Sequence, residues 1–170
     1  MLSQDHHGNA LSGASHSSAD AFAQAVSQFA IFSGDPVGAA ETLMRDEPGF
    51  VMAHALKAWL YLLGTEPAGI PVARQTIERA LTLPATARER GHLAALAHLC
   101  EGRWHEASRV IEDVAIEHPR DLLALIAGHQ LDFFTGHARL LKNRIARALP
   151  AWSQGMASHH AMLGMHAFGL

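Results

Sequence analysis

The chain has 170 residues, 49% of them hydrophobic and 17% charged, a balance that excludes a disordered polypeptide and suffices for one domain with a sizeable core. Its 13 Lys and Arg against 16 Asp and Glu give a formal charge of −3 with no basic run, so the electrostatic footprint of a nucleic-acid binder is missing. The single cysteine, Cys100, excludes an internal disulfide and suits a reducing compartment; in the apolar stretch Leu96 to Cys100 it reads as a packed core thiol.

Residues 1–17 are polar, carry His6, His7 and His16, and have no apolar run, so they are not a secretory signal and read as a mobile leader. Cytoplasmic residence is the corresponding expectation. Ser17 or Ser18, just ahead of Asp20, is placed to cap the first helix. From there helical patterns alternate with short turn signals: Ser33 to Pro36, Asp46 to Gly49, Gly64 to Pro71, Gly102-Arg103, His118 to Asp121 and Thr135-Gly136. No bounded segment alternates with period two, so strands are not expected and the fold class is all-α. The predicted organisation is four helical hairpins over residues 18–150 and the start of a further one, cut off, over 151–170. The uncharged stretch Ala148 to Leu170 contains Pro150, three glycines and three histidines, which makes it a poor bilayer span.

Laid over itself in steps of 34, the chain puts Gly34, Ala68 (next to Gly69), Gly102 and Gly136 in one column, where a tight turn needs small or turn-forming residues. Five positions on stand Ala39, Ala73, Ala107 and Leu141, and nine on Leu43, Ile77, Ile111 and Ile145. Ahead of the turn, Phe29, Leu63, Ala97 and Leu131 share a column. Each unit therefore reads as two antiparallel helices with a small residue at their closest approach, and since one hairpin cannot bury its apolar face, neighbours stack into an α-solenoid. In the third unit Gly102, Trp104, Ala107, Ile111, Val114 and Pro119 match the tetratricopeptide pattern.

A closer likeness rests on five stretches in order along the chain: Glu47 to Ala55, Arg88 to His92, Glu117 to Leu125, Ala148 to Trp152 and Ala167 to Leu170. On these the sequence resembles the tetratricopeptide repeat protein 38 family. The resemblance implies further helical hairpins beyond residue 170 and a chain shorter than its relatives, but it carries over no catalytic residue.

Histidine is enriched, at 13 residues, but its spacings do not define a metal site. No His-Glu-x-x-His pair occurs, and His92 and His98, six apart, fall on different sides of a helix. His159, His160 and His166 form the densest group, candidate metal ligands only if a third donor comes from elsewhere. Neither a metal nor a cofactor is expected. Asp132 stands alone among Leu131, Phe133 and Phe134, where it needs a partner such as His129 or an arginine; this reads as structural before catalytic.

Counting along the first helices of the hairpins places Gln24, Ala58, His92 and Ile126 in one row of the expected concave face and Gln28, Leu62, Leu96 and Gln130 in a second. Phe133 completes the partner-binding candidates. The basic donors that grip a peptide carboxylate are absent from these rows, so the groove is mostly apolar and something must cover it. The expected function is a non-catalytic scaffold whose groove takes an apolar peptide or helix of a partner, or the chain's own absent carboxy-terminal helices. The alternative is a small-molecule or metal site closed between this half and an absent half. Apolar ends make a homo-oligomer a further expectation.

Overall fold

A computed structural model describes residues 2–170. Among them a short antiparallel pair, β1 (Ser3–Gln4) and β2 (Ala10–Leu11), precedes α1 (His16–Ala30), α2 (Pro36–Asp46), α3 (Val51–Leu63) and α4 (Gly69–Leu81). There follow α5 (Ala87–Cys100), α6 (Trp104–Glu117), α7 (Leu122–Phe134), α8 (Ala138–Ala148), a single 3-10 turn Leu149–Ala151 and α9 (His159–Phe168). Each odd helix from α1 to α7 pairs with the even helix after it, consecutive pairs stack, and α9 packs on α8, giving an all-α solenoid of antiparallel hairpins.

Local chemistry sets the boundaries. The Asp35 carboxylate caps Gly38 N ahead of Pro36 at the first helical position, Thr86 and Glu89 form a reciprocal capping box, and Asp121 caps Ala124 N. The cap of α1 is Ser15, accepting from Ser18 N, rather than Ser17 or Ser18, so the helix starts two residues earlier than expected. Gly34, Gly102 and Gly136 turn the chain with positive φ of 67°, 74° and 69°. The second hairpin departs from the column: Thr65 takes the left-handed conformation, and Gly69 lies at the start of α4, where a side chain would meet the Tyr61 carbonyl.

The core follows the repeat columns. Leu43, Ile77, Ile111 and Ile145 are buried, as are Ala73 and Ala107 at the helix crossings. Beyond successive hairpins, α7 also touches α3 and α1, so the inner helices α1, α3, α5 and α7 close on one another. Buried alanines at 25, 53, 55, 58, 95, 124 and 127 let these axes approach. A solenoid that curls this tightly fills its own concave side.

Two expectations are corrected by this packing. The leader is not a free polar tail: Leu11 is fully buried, Asn9 and Ser12 are nearly so, and residues 3–11 form the small ladder that the absence of period-two patterning argued against. Two residues per strand are too few to show a period, and the ladder is held by packing on the helices.

Candidate functional site

The two rows assigned to the concave face do not line an open groove. Ala58, His92 and Leu96 are fully buried, Ile126 and Leu62 nearly so, because the faces meant to line the groove meet one another across the closed inner ring. Gln24 is exposed and Gln28 and Gln130 half-exposed; Phe133, with 54% of its surface in solvent, is the most accessible large apolar residue of the set.

His92 instead belongs to a buried polar chain near the amino-terminal ends of the inner helices. Trp59 Nε1 donates to His92 Nδ1 at 3.1 Å, which leaves the ring proton on Nε2, 2.9 Å from Asp121 Oδ2. Arg88 Nη1 donates to the same oxygen at 2.6 Å, and Ala124 N to Asp121 Oδ1. Burial alone would raise the Asp121 carboxyl; the His92 ring, the Arg88 guanidinium and the Ala124 amide outweigh it and hold the acid far below the usual carboxylate range. Every member is buried, and the chain orders the amino-terminal ends of the inner helices.

Asp132 has the arginine partner its surroundings demanded. Arg144 reaches from α8 across Gly128, where any side chain would collide with the guanidinium, and bonds Asp132 Oδ2 through Nε at 2.8 Å and Oδ1 through Nη2 at 3.0 Å. Ser108 Oγ donates to Oδ1, and Glu112 pairs with both Arg144 and Arg147. Cys100 is buried, which pushes its thiol above the usual range and away from nucleophilic use.

The accessible chemistry lies at the opposite ends of the same inner helices. A cavity of about 570 Å³ opens between the carboxy-terminal ends of α1 and α3, the last two turns of α7, and α9. Phe32, Phe133, Phe134 and Phe168 stand around it, 83%, 54%, 45% and 61% exposed. Its lining has no Asp, Glu, Lys or Arg; His129, Gln130 and His160 are the only lining side chains with a hydrogen-bonding nitrogen. Of the sequence candidates it gathers Ile126, Gln130, Phe133 and His160, while Gln24, Gln28, Leu62, His92 and Leu96 lie outside its lining. Sequence reasoning missed Phe32, Phe134 and Phe168; the signal was an aromatic residue near a turn or helix end, and Phe32 and Phe134 stand in one column of the 34-residue register.

His159 and His166 are half-exposed on α9 and do not line this cavity. Among the described residues no three His, Cys, Asp or Glu side chains are gathered as metal ligands, and no helix is long and apolar enough to cross a membrane.

Fold and site together define a helical-hairpin repeat protein with one uncharged aromatic cavity. No protein-family model matches the chain, and no solved structure matches it at a significant level.

Proposed function

We propose that the chain is a non-catalytic interaction module of the tetratricopeptide kind, similar to the tetratricopeptide repeat protein 38 family and acting in the cytoplasm, and that its aromatic cavity receives an amphipathic helix of a partner protein. The observation that carries this reading is the ring of four partly exposed phenylalanines around a cavity with no formal charge in its lining. A helix docks through apolar side chains at i, i+3, i+4 and i+7, and a cavity of about 570 Å³ has room for several of them. The uncharged lining disfavours a carboxylate tail or a basic segment, because neither would find a partner on leaving water.

A helical-peptide library selected on the wild-type chain is expected to enrich apolar-faced binders that lose roughly tenfold or more in affinity on Phe133→Glu. Binders indifferent to Phe133→Glu and Phe168→Glu would refute the reading. A second reading has its own support: the volume lies within the range of small-molecule pockets, and His129 and Gln130 offer a single polar handle. Native mass spectrometry separates the two, since a retained small molecule lost in Phe133→Glu favours the pocket reading and a bare chain favours the helix-docking one.

A further inference from the structure

The amino-terminal arm, residues 2–14, runs across the amino-terminal ends of the inner helices, and two buried charged side chains are committed to holding it. Glu89, fully buried, accepts from Ser12 N at 2.8 Å and from Ser12 Oγ at 2.6 Å while also accepting from Thr86 N in its own capping box. Arg88, 5% exposed, divides its guanidinium between Asp121 and the Ala10 carbonyl, the latter at 2.7 Å. Ser12 O accepts from Val51 N at 3.2 Å, an orphan first-turn amide of α3 for which Phe50 provides no side-chain cap. Asn9 Nδ2 reaches the Arg120 carbonyl, His7 lies within hydrogen-bond distance of the Ala157 carbonyl with its ring 4.6 Å from that of Trp152, and the Leu11 side chain is fully buried.

These contacts have the character of peptide recognition. Main-chain atoms of the arm are bonded at Ala10, in the second strand of its hairpin, and at Ser12, in the turn that follows; one hydroxyl is read by a buried carboxylate, and one aliphatic side chain is buried. The segment is also preorganised, because Asp5 Oδ1 accepts from the His7 and Asn9 amides within the arm's own turn. We propose that this edge of the stack is a binding site for a short hairpin segment of polypeptide, that residues 5–13 are its resident occupant, and that the arm of a second copy of this chain takes the same place in exchange. Cis and trans arms make identical contacts, so exchange costs only the linkage between arm and helix. The inference does not depend on the aromatic cavity, which lies at the other ends of the helices.

The test uses the full chain with Gly13→Val. Gly13 has φ of +76°, and a side chain there would overlap the Gly49 carbonyl, so the substitution displaces the cis arm while leaving Arg88 and Glu89 intact. A fluorescent peptide of residues 2–15 with the wild-type sequence is titrated against this variant and against the wild-type chain. The expected result is saturable one-to-one binding to Gly13→Val, about tenfold weaker binding when the peptide carries Ser12→Ala, and weaker binding still to the wild type, whose own arm competes at high effective concentration. A folded Gly13→Val chain that ignores the peptide, peptide binding indifferent to Ser12, or equal binding to the wild type overturns the proposal. Leu11→Asp opens the arm by a second route; if both variants unfold by circular dichroism, the arm is part of the core and not an exchangeable ligand, which also overturns it.

Discussion

Replacing Asp132 by Leu removes one half of the most deeply buried ion pair in the protein. Neither Asp132 nor Arg144 has side-chain surface in solvent, and the carboxylate takes two of the guanidinium's bonds together with the Ser108 hydroxyl. The variant leaves Arg144 with Glu112, which is only 12% exposed and already shared with Arg147, and with the Ser108 oxygens at 3.0 and 3.4 Å. Breaking such a pair costs about 3–5 kcal/mol, because a fully buried charge loses its bidentate partner and keeps only a shared one. At about 2–4 °C per kcal/mol for a chain of this size, the melting temperature falls by roughly 6–20 °C. Urea unfolding followed by far-UV circular dichroism reads the same loss as a shift in midpoint at constant slope. The triple variant Ser108→Ala, Asp132→Leu, Arg144→Met removes the buried pair and its hydroxyl together, leaves Glu112 with Arg147, and recovers most of the loss. A single variant within about 0.5 kcal/mol of wild type, the range of a surface substitution, would refute the account.

Ala107→Glu places a carboxylate at a fully buried helix crossing, and thermal unfolding is expected to show a loss of about 3 kcal/mol or more; an unchanged melting temperature would break the 34-residue register. Burial, the largest influence on both, lowers the proton affinity of His54 and His129 in the fold. The unfolded chain then binds more protons near and below the ordinary histidine value of about 6.5, so stability rises with pH through that range and is lost as pH falls below it. Urea midpoints between about pH 7.5 and 5.5 should therefore decline, and His54→Gln with His129→Gln should flatten that decline. Asp121 acts in a separate window: its lowered pKa supports the fold above about pH 4 and that support is withdrawn only as pH drops further, so Asp121→Asn removes a stabilisation that persists to lower pH than the histidines'.

The hairpin stack was legible because apolar side chains recur at the repeat period and nothing else accounts for Leu43, Ile77, Ile111 and Ile145 in one column. The closure of the stack was not, since inner-helix curvature depends on small residues whose effect accumulates over four repeats. His92 shows the consequence: it was assigned to the concave row, but the surface it faces is the neighbouring inner helices and not solvent. The polar partnerships did carry a signal that went unused. Trp59 and His92, Arg88 and the α7 cap Asp121, and Trp152 with the Pro119 carbonyl ahead of α7 are each 33 residues apart, one short of the repeat, because nearly equivalent positions on successive hairpins are spatial neighbours. Pairing polar residues at one less than the repeat spacing would have joined the first two pairs in advance.

The two edges of the inner ring differ for a reason that lies in the helix itself. At the amino-terminal ends first-turn amides need acceptors, and these come from Ser15, Thr86 and Asp121 side chains and from the Ser12 carbonyl of the arm, so this edge becomes a polar recognition surface. At the carboxy-terminal ends the loose carbonyls are met by amides of the turns that follow: Phe32 N to Phe29 O, Thr65 N to Leu62 O, Gly136 N to Phe133 O. That edge needs no polar side chain. Its last-turn residues are then free to be apolar, and Phe133, Phe134 and, just past the end of α1, Phe32 gather there around a cavity that only another apolar surface fills well. A partner built to fit this protein should therefore present a short polar hairpin to the first edge and an apolar helix face to the second.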